Sequence, residues 1–165
     1  MTDIAAGAHA SRAARLEQAI VLLAALSWTA ALIHAVVVPE HWTEYRPYGI
    51  CFAVLAAAQA AWSIALFRRP ARHVLRAGAA LSAGVIVVWA LSRTTGLPVG
   101  PSPWTAEPVG RLDLAATLVE LAIVAAGTAF WRRWPEIDIT PSALRAGSAV
   151  LVTAGVALTL GGHTH

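Results

Sequence analysis

Residues 17–38 read EQAIVLLAALSWTAALIHAVVV, with Glu17 as the one charged side chain besides His34. At 1.5 Å per residue such a helix is long enough to cross the hydrocarbon core of a bilayer. The run is longer than the apolar region of a signal peptide, and no small-x-small cleavage site closes it before Pro39, so it is read as a retained first span. Working outward, four further apolar runs follow at 47–67, 73–92, 110–131 and 142–161. Lipid offers no partner to open backbone groups, and five segments cannot close a barrel, so only helices fit. The expectation is an all-α membrane protein, residues 1–165 forming one integral membrane domain, a bundle of five transmembrane helices.

Composition agrees. Hydrophobic residues make up 58% of the chain and charged residues 13%, against roughly 25% charged in a soluble domain. Five spans use most of the 165 residues, which leaves no room for a soluble catalytic domain. The net charge of +3 does not imply nucleic acid, because the basic residues flank apolar spans instead of gathering on a soluble face. The single cysteine, Cys51, excludes an intramolecular disulfide.

Arginine placement orients the chain. Arg12, Arg15, Arg68, Arg69, Arg72, Arg76, Arg132, Arg133 and Arg145 flank one side, and Arg46, Arg93 and Arg111 the other. The positive-inside rule puts the N-terminus in the cytoplasm and the C-terminal Gly-Gly-His-Thr-His outside, in the cytoplasmic (inner) membrane of a cell. The longest loop, between Arg93 and Gly110, carries Pro98, Pro101, Pro103 and Pro108, which exclude a helix. It reads equally as a lid over the outer end or as a connector.

Ionisable groups inside spans are costly and mark function by default. His34, Asp113 and Glu120 are expected in the outer half of the membrane, with Thr117 between the two carboxylates on one helical face. Pro39 is expected to end the first helix, which sets His34 about one turn from its outer end. His41, His163 and His165 lie on the same side, so the candidate ligand set for a transition metal is His34, His41, Asp113, Glu120, His163 and His165. Imidazole with carboxylate suits Zn, Cu(II), Ni or Fe. Haem is a weaker fit, because His34 alone among the histidines lies well inside a span. Gln59, Arg93 and Glu107 are read as structural polar groups, with Arg93 pairing Asp113 or Glu120 and His34 bonding Glu120 or a neighbouring hydroxyl. Two other readings stay open. One is a non-enzymatic accessory or assembly subunit, in a homo-oligomer or a larger membrane complex, whose polar groups hold the bundle together. The other is a proton- or quinone-linked role, for which inner-side groups are limited to Gln59 and Ser63.

The stretches HAVVVPEHWTEYRPYGICFAVLAAAQAAW (His34–Trp62) and SRTTGLPVGPSPWTAEPVGRLDLAATLVEL (Ser92–Leu121) carry a resemblance. Through the Pro-Glu-His segment, the second-span glutamine, the Gly-Leu-Pro-x-Gly-Pro loop and the Glu-Pro-Val-Gly-x-x-Asp segment, the chain resembles an uncharacterised family of small polytopic membrane proteins of high-GC bacteria. The resemblance implies the membrane architecture and points to the same residues. It implies no activity.

Overall fold

A computed structural model describes residues 2–131, with side chains described for residues 14–131. Four helices follow one another: α1 (Thr2–Glu44), α2 (Arg46–Arg68), α3 (Arg72–Thr94) and α4 (Arg111–Trp131). Each contains a stretch long and apolar enough to cross a membrane, from Ala14–Glu44 in α1 to Arg111–Trp131 in α4. The chain is a multi-pass helical membrane protein. The span expected at 142–161 lies outside the described residues, as do His163 and His165.

The expected spans at 47–67, 73–92 and 110–131 coincide with α2, α3 and α4 to within two residues at each end. The first helix differs. It runs through Pro39 to Glu44 instead of stopping there. Proline removes one backbone donor and leaves the Ala35 carbonyl without its helical N–H. Both residues face outward, and spanning helices tolerate such a defect. The helix breaks instead at Tyr45, in extended conformation (φ −155°, ψ 108°), with Pro47 in the first turn of α2.

α1 packs along α2, and α4 lies against both α1 and α3, while α3 meets α2 more sparingly. The α1 residues facing inward are Leu16, Ile20, Leu23, Ser27, Ala31 and His34, a stripe at three- and four-residue spacing. α4 buries Ala116, Thr117, Glu120, Ile123 and Gly127 in the same way. Large aliphatic residues such as Val54, Val88, Leu118 and Leu121 point out of the bundle. In lipid they lose nothing by exposure, so the interior holds small and polar residues beside an apolar core of Leu23, Leu66, Leu75 and Ile123, and polar groups find partners there. Gly78 shows the closeness, because its Cα faces the Trp62 indole with no room for a side chain. Trp62 Nε1 donates to the Val74 carbonyl at 2.6 Å and ties α2 to α3.

Candidate functional site

The interior polar groups separate into a mid-span cluster and a group at the end of the bundle that carries the 95–110 loop.

Glu120 centres the first. It is fully buried on α4 and meets His34 from α1 and Gln59 from α2, both also buried. His34 Nε2 stands 3.4 Å from Glu120 Oε1, and Gln59 Nε2 donates to the same oxygen. Glu120 Oε2 and Gln59 Oε1 are buried with no hydrogen-bond partner. Two buried hydroxyls support the cluster from the side of α1 and α2. Ser27 Oγ donates to the Gln59 carbonyl at 2.7 Å, and Ser63 Oγ donates to the Ala24 carbonyl at 2.9 Å. Both bonds cross the α1–α2 interface and hold Gln59 in register with α1.

Glu120 and Gln59 keep the positions along their spans that were read from sequence; His34 lies farther from its helix end than expected. Because α1 continues through Pro39, His34 lies about 15 Å along the helix from Glu44 and not one turn from its end. Glu120 lies about 14 Å from the start of α4. Both are therefore near the middle of their spans.

Arg93, at the end of α3, organises the second group. Its guanidinium donates to Glu107 in the loop and, through Nη2 at 2.6 Å, to Asp113 Oδ2 in the first turn of α4. Asp113 also accepts the Gly110 N–H at 3.0 Å, so one carboxylate both caps α4 and holds Arg93. Of the two partners foreseen for Arg93, Asp113 is the one it takes, with Glu107 in place of Glu120. The loop is fixed at two further points. The Glu107 N–H donates to the Ser92 carbonyl at 3.0 Å, and Tyr48 Oη on α2 donates to the Val99 carbonyl at 2.6 Å. Trp104 takes a positive φ of 61° where the loop reverses. Thr117 lies between the two groups on α4 and donates to the Asp113 carbonyl at 2.8 Å.

His41 stands apart from both. Its Nδ1 is 3.2 Å from Glu44 Oε2, and its ring stacks on Phe52 with centroids 4.3 Å apart. Phe52 also lies 5.6 Å from the His34 ring, between the two histidines.

Of the candidate ligands, then, the structure joins His34 to Glu120, gives Asp113 to Arg93, and pairs His41 with Glu44. Among the described residues, no group of three or more His, Cys, Asp or Glu side chains could hold a metal ion. Ser27, Phe52 and Tyr48 were not singled out from sequence. Ser27 carried a signal, since it lies seven residues before His34 on the same helical face. Phe52 and Tyr48 carried none, because their roles depend on how α2 meets α1 and the loop. Comparisons with known protein families, curated proteins and solved structures find no match.

Proposed function

We propose that this chain is a five-span protein of the cytoplasmic membrane, with its N-terminus inside, whose mid-span cluster of His34, Glu120 and Gln59 holds an exchangeable proton. The observation that carries this reading is the uneven placement of donors around Glu120. The Gln59 amide N–H and the His34 Nε2 both fall on Oε1, while Oε2 and Gln59 Oε1 lack any partner among the described residues. A carboxylate so placed would leave charge on a buried oxygen with no donor, in surroundings that penalise it heavily. A carboxylic acid removes the charge and turns Oε2 into a donor, so that each of the two unpartnered groups, Glu120 Oε2–H and Gln59 Oε1, offers what the other lacks, while Gln59 Nε2 donates to Glu120 Oε1. His34 then donates to Oε1 as the neutral Nε2–H tautomer. Thr117 and Asp113 continue the polar face of α4 toward the loop, which is the side from which the proton would load.

Infrared spectroscopy of the purified chain tests this. The expected result is a protonated-carboxyl C=O band, sensitive to D₂O and missing in Glu120→Gln. Carboxylate bands alone would overturn the reading. In vesicles bearing a pH gradient, the same variant should slow any proton exchange that the native chain supports.

A second reading rests on the same unpartnered atoms. His34 Nε2 lies 3.4 Å from Glu120 Oε1, and with the unpartnered Glu120 Oε2 and Gln59 Oε1 the cluster offers a mixed N/O donor set of the kind that Zn, Cu(II), Ni or Fe accepts. Elemental analysis with a visible spectrum, on protein made without a histidine tag, separates the two. Stoichiometric metal that is lost in both His34→Ala and Glu120→Ala would favour the metal site. A metal-free, colourless protein after incubation with each ion would leave the proton reading.

A further inference from the structure

The two ends of the bundle differ in charge. Among the described side chains, the end where α2 turns into α3 carries Arg15, Arg68, Arg69, Arg72 and Arg76, with Glu17 as its carboxylate. The loop end carries Arg46, Arg93 and Arg111 against Glu40, Glu44, Glu107 and Asp113. One end is strongly cationic, and the other is close to balanced.

The cationic end is also compact. Arg68 and Arg69 close α2, Pro70 and Ala71 form the turn, and Arg76 lies one helical turn into α3. All three arginines are exposed, as is His73 beside them. Among the described residues, none of Arg68, Arg69 and Arg76 pairs with a carboxylate. Arg76 instead lies over the Trp131 ring, 4.5 Å from its centroid. A tryptophan at the end of a span sits at headgroup level, with its ring against the acyl boundary. Stacking on it holds the Arg76 guanidinium at that level, and a guanidinium fork matches the oxygens of a phosphate. The Trp62–Val74 hydrogen bond fixes the turn that presents the other two arginines.

We propose that this turn is a docking surface for anionic phospholipid headgroups, with Arg68, Arg69 and Arg76 binding the phosphate. The proposal rests on the membrane-spanning fold and is independent of the proton reading.

Native mass spectrometry of the full chain, with phosphatidylglycerol and phosphatidylcholine supplied in equal amount, tests it. Each basic residue near a lipid surface is worth about 1 kcal/mol, or roughly fivefold. The triple variant Arg68→Gln/Arg69→Gln/Arg76→Gln should therefore lose on the order of a hundredfold in preference for phosphatidylglycerol. Arg46→Gln/Arg111→Gln, at the other end, should keep the native preference. In the native chain the retained phosphatidylglycerol should fall as salt rises, because exposed charges are screened; this needs no variant and stands if the triple variant fails to fold. An unchanged preference in a folded triple variant, no preference in the native chain, or salt-independent retention would each overturn the proposal. Displacement by inorganic phosphate as effective as that by phosphatidylglycerol would also overturn it, because the site would then take free anions.

Discussion

Glu120 and Gln59 form a pair in which each residue completes the other, and this dictates how substitutions at Glu120 should differ. Glutamine at this position keeps the shape, and its amide can donate to Gln59 Oε1 while accepting from Gln59 Nε2. Glu120→Gln should therefore unfold within about 1 kcal/mol of the native chain. Glu120→Leu removes both functions and strands the buried Gln59 amide, which costs about 1–3 kcal/mol. Thermal unfolding in detergent distinguishes them, and equal loss in both variants would mean that the pair contributes no mutual stabilisation. Arg93 invites a second test. It joins a loop carboxylate to the first turn of α4 from a largely buried position. Arg93→Gln should cost about 1–2 kcal/mol and speed hydrogen exchange at the Glu107 and Trp104 amides, which close the loop. Unaltered exchange would show that Tyr48 and the backbone bonds suffice to hold it. The identities of these polar residues were legible in the sequence, because a charge or an amide inside an apolar run stands out. Their partners were legible only in part: the His34–Glu120 and Arg93–Asp113 pairs are among those expected, but Arg93 had two carboxylates within reach with nothing in the chain order to choose between them, and Gln59 had no partner assigned.

For the helices, small residues decide how near one can approach the next. A Cβ on Gly78 would fall within the Trp62 ring, and that ring is tied through Nε1 to Val74 and cannot swing away freely. Gly78→Val should destabilise the α2–α3 crossing by about 1–3 kcal/mol through overpacking. Gly84, on the same helix, has nothing within 4 Å of such a Cβ. Gly84→Ala should be neutral or stabilising by up to about 1 kcal/mol, through helix propensity alone. Comparing the two midpoints isolates packing from propensity; a Gly78→Val midpoint matching that of Gly84→Ala would contradict the tight crossing. In the sequence, small residues four apart such as Gly78 and Ser82 signal close helix approach, yet chance produces many such pairs in an alanine-rich chain. What it lacked was Trp62, which turns one of these pairs into a contact. Pro39 is the opposite case. The rule that proline ends helices derives from water-soluble proteins, and here the break falls at Tyr45, where α1 turns into α2. That difference sets His34 ten residues from the end of its helix instead of one turn from it, level with Glu120, whose place in its own span was readable from sequence.

Across the whole molecule, the apolar runs and the arginine count were the strongest signals in the sequence, since span length and flanking charge are set by the bilayer and not by packing. Three of the four described spans lie within two residues of the runs read from sequence. The lateral order of the helices was not readable, because lipid-facing and helix-facing leucines look alike and only contacts put α4 between α1 and α3. Orientation follows from charge and can be tested by charge. α2, α3 and α4 alternate in direction, so the loop of residues 95–110 and the α2–α3 turn lie at opposite ends. Arg68, Arg69, Arg72 and Arg76 bias that turn toward the cytoplasm, and the run at 142–161 would return the chain to the far side. A reporter active only outside the cytoplasm should then give signal when fused after His165 and none when fused after Arg69. A reporter active only inside should give the reverse. If both fusions report from the cytoplasm, the run at 142–161 does not cross, and His163 and His165 lie on the opposite side from Asp113. If both report from outside, the run at 142–161 again does not cross, the arginine bias has been misread, and the cationic turn proposed to meet lipid phosphate faces the outer leaflet instead. The two fusions thus decide separately whether the chain crosses a fifth time and which leaflet the arginines meet.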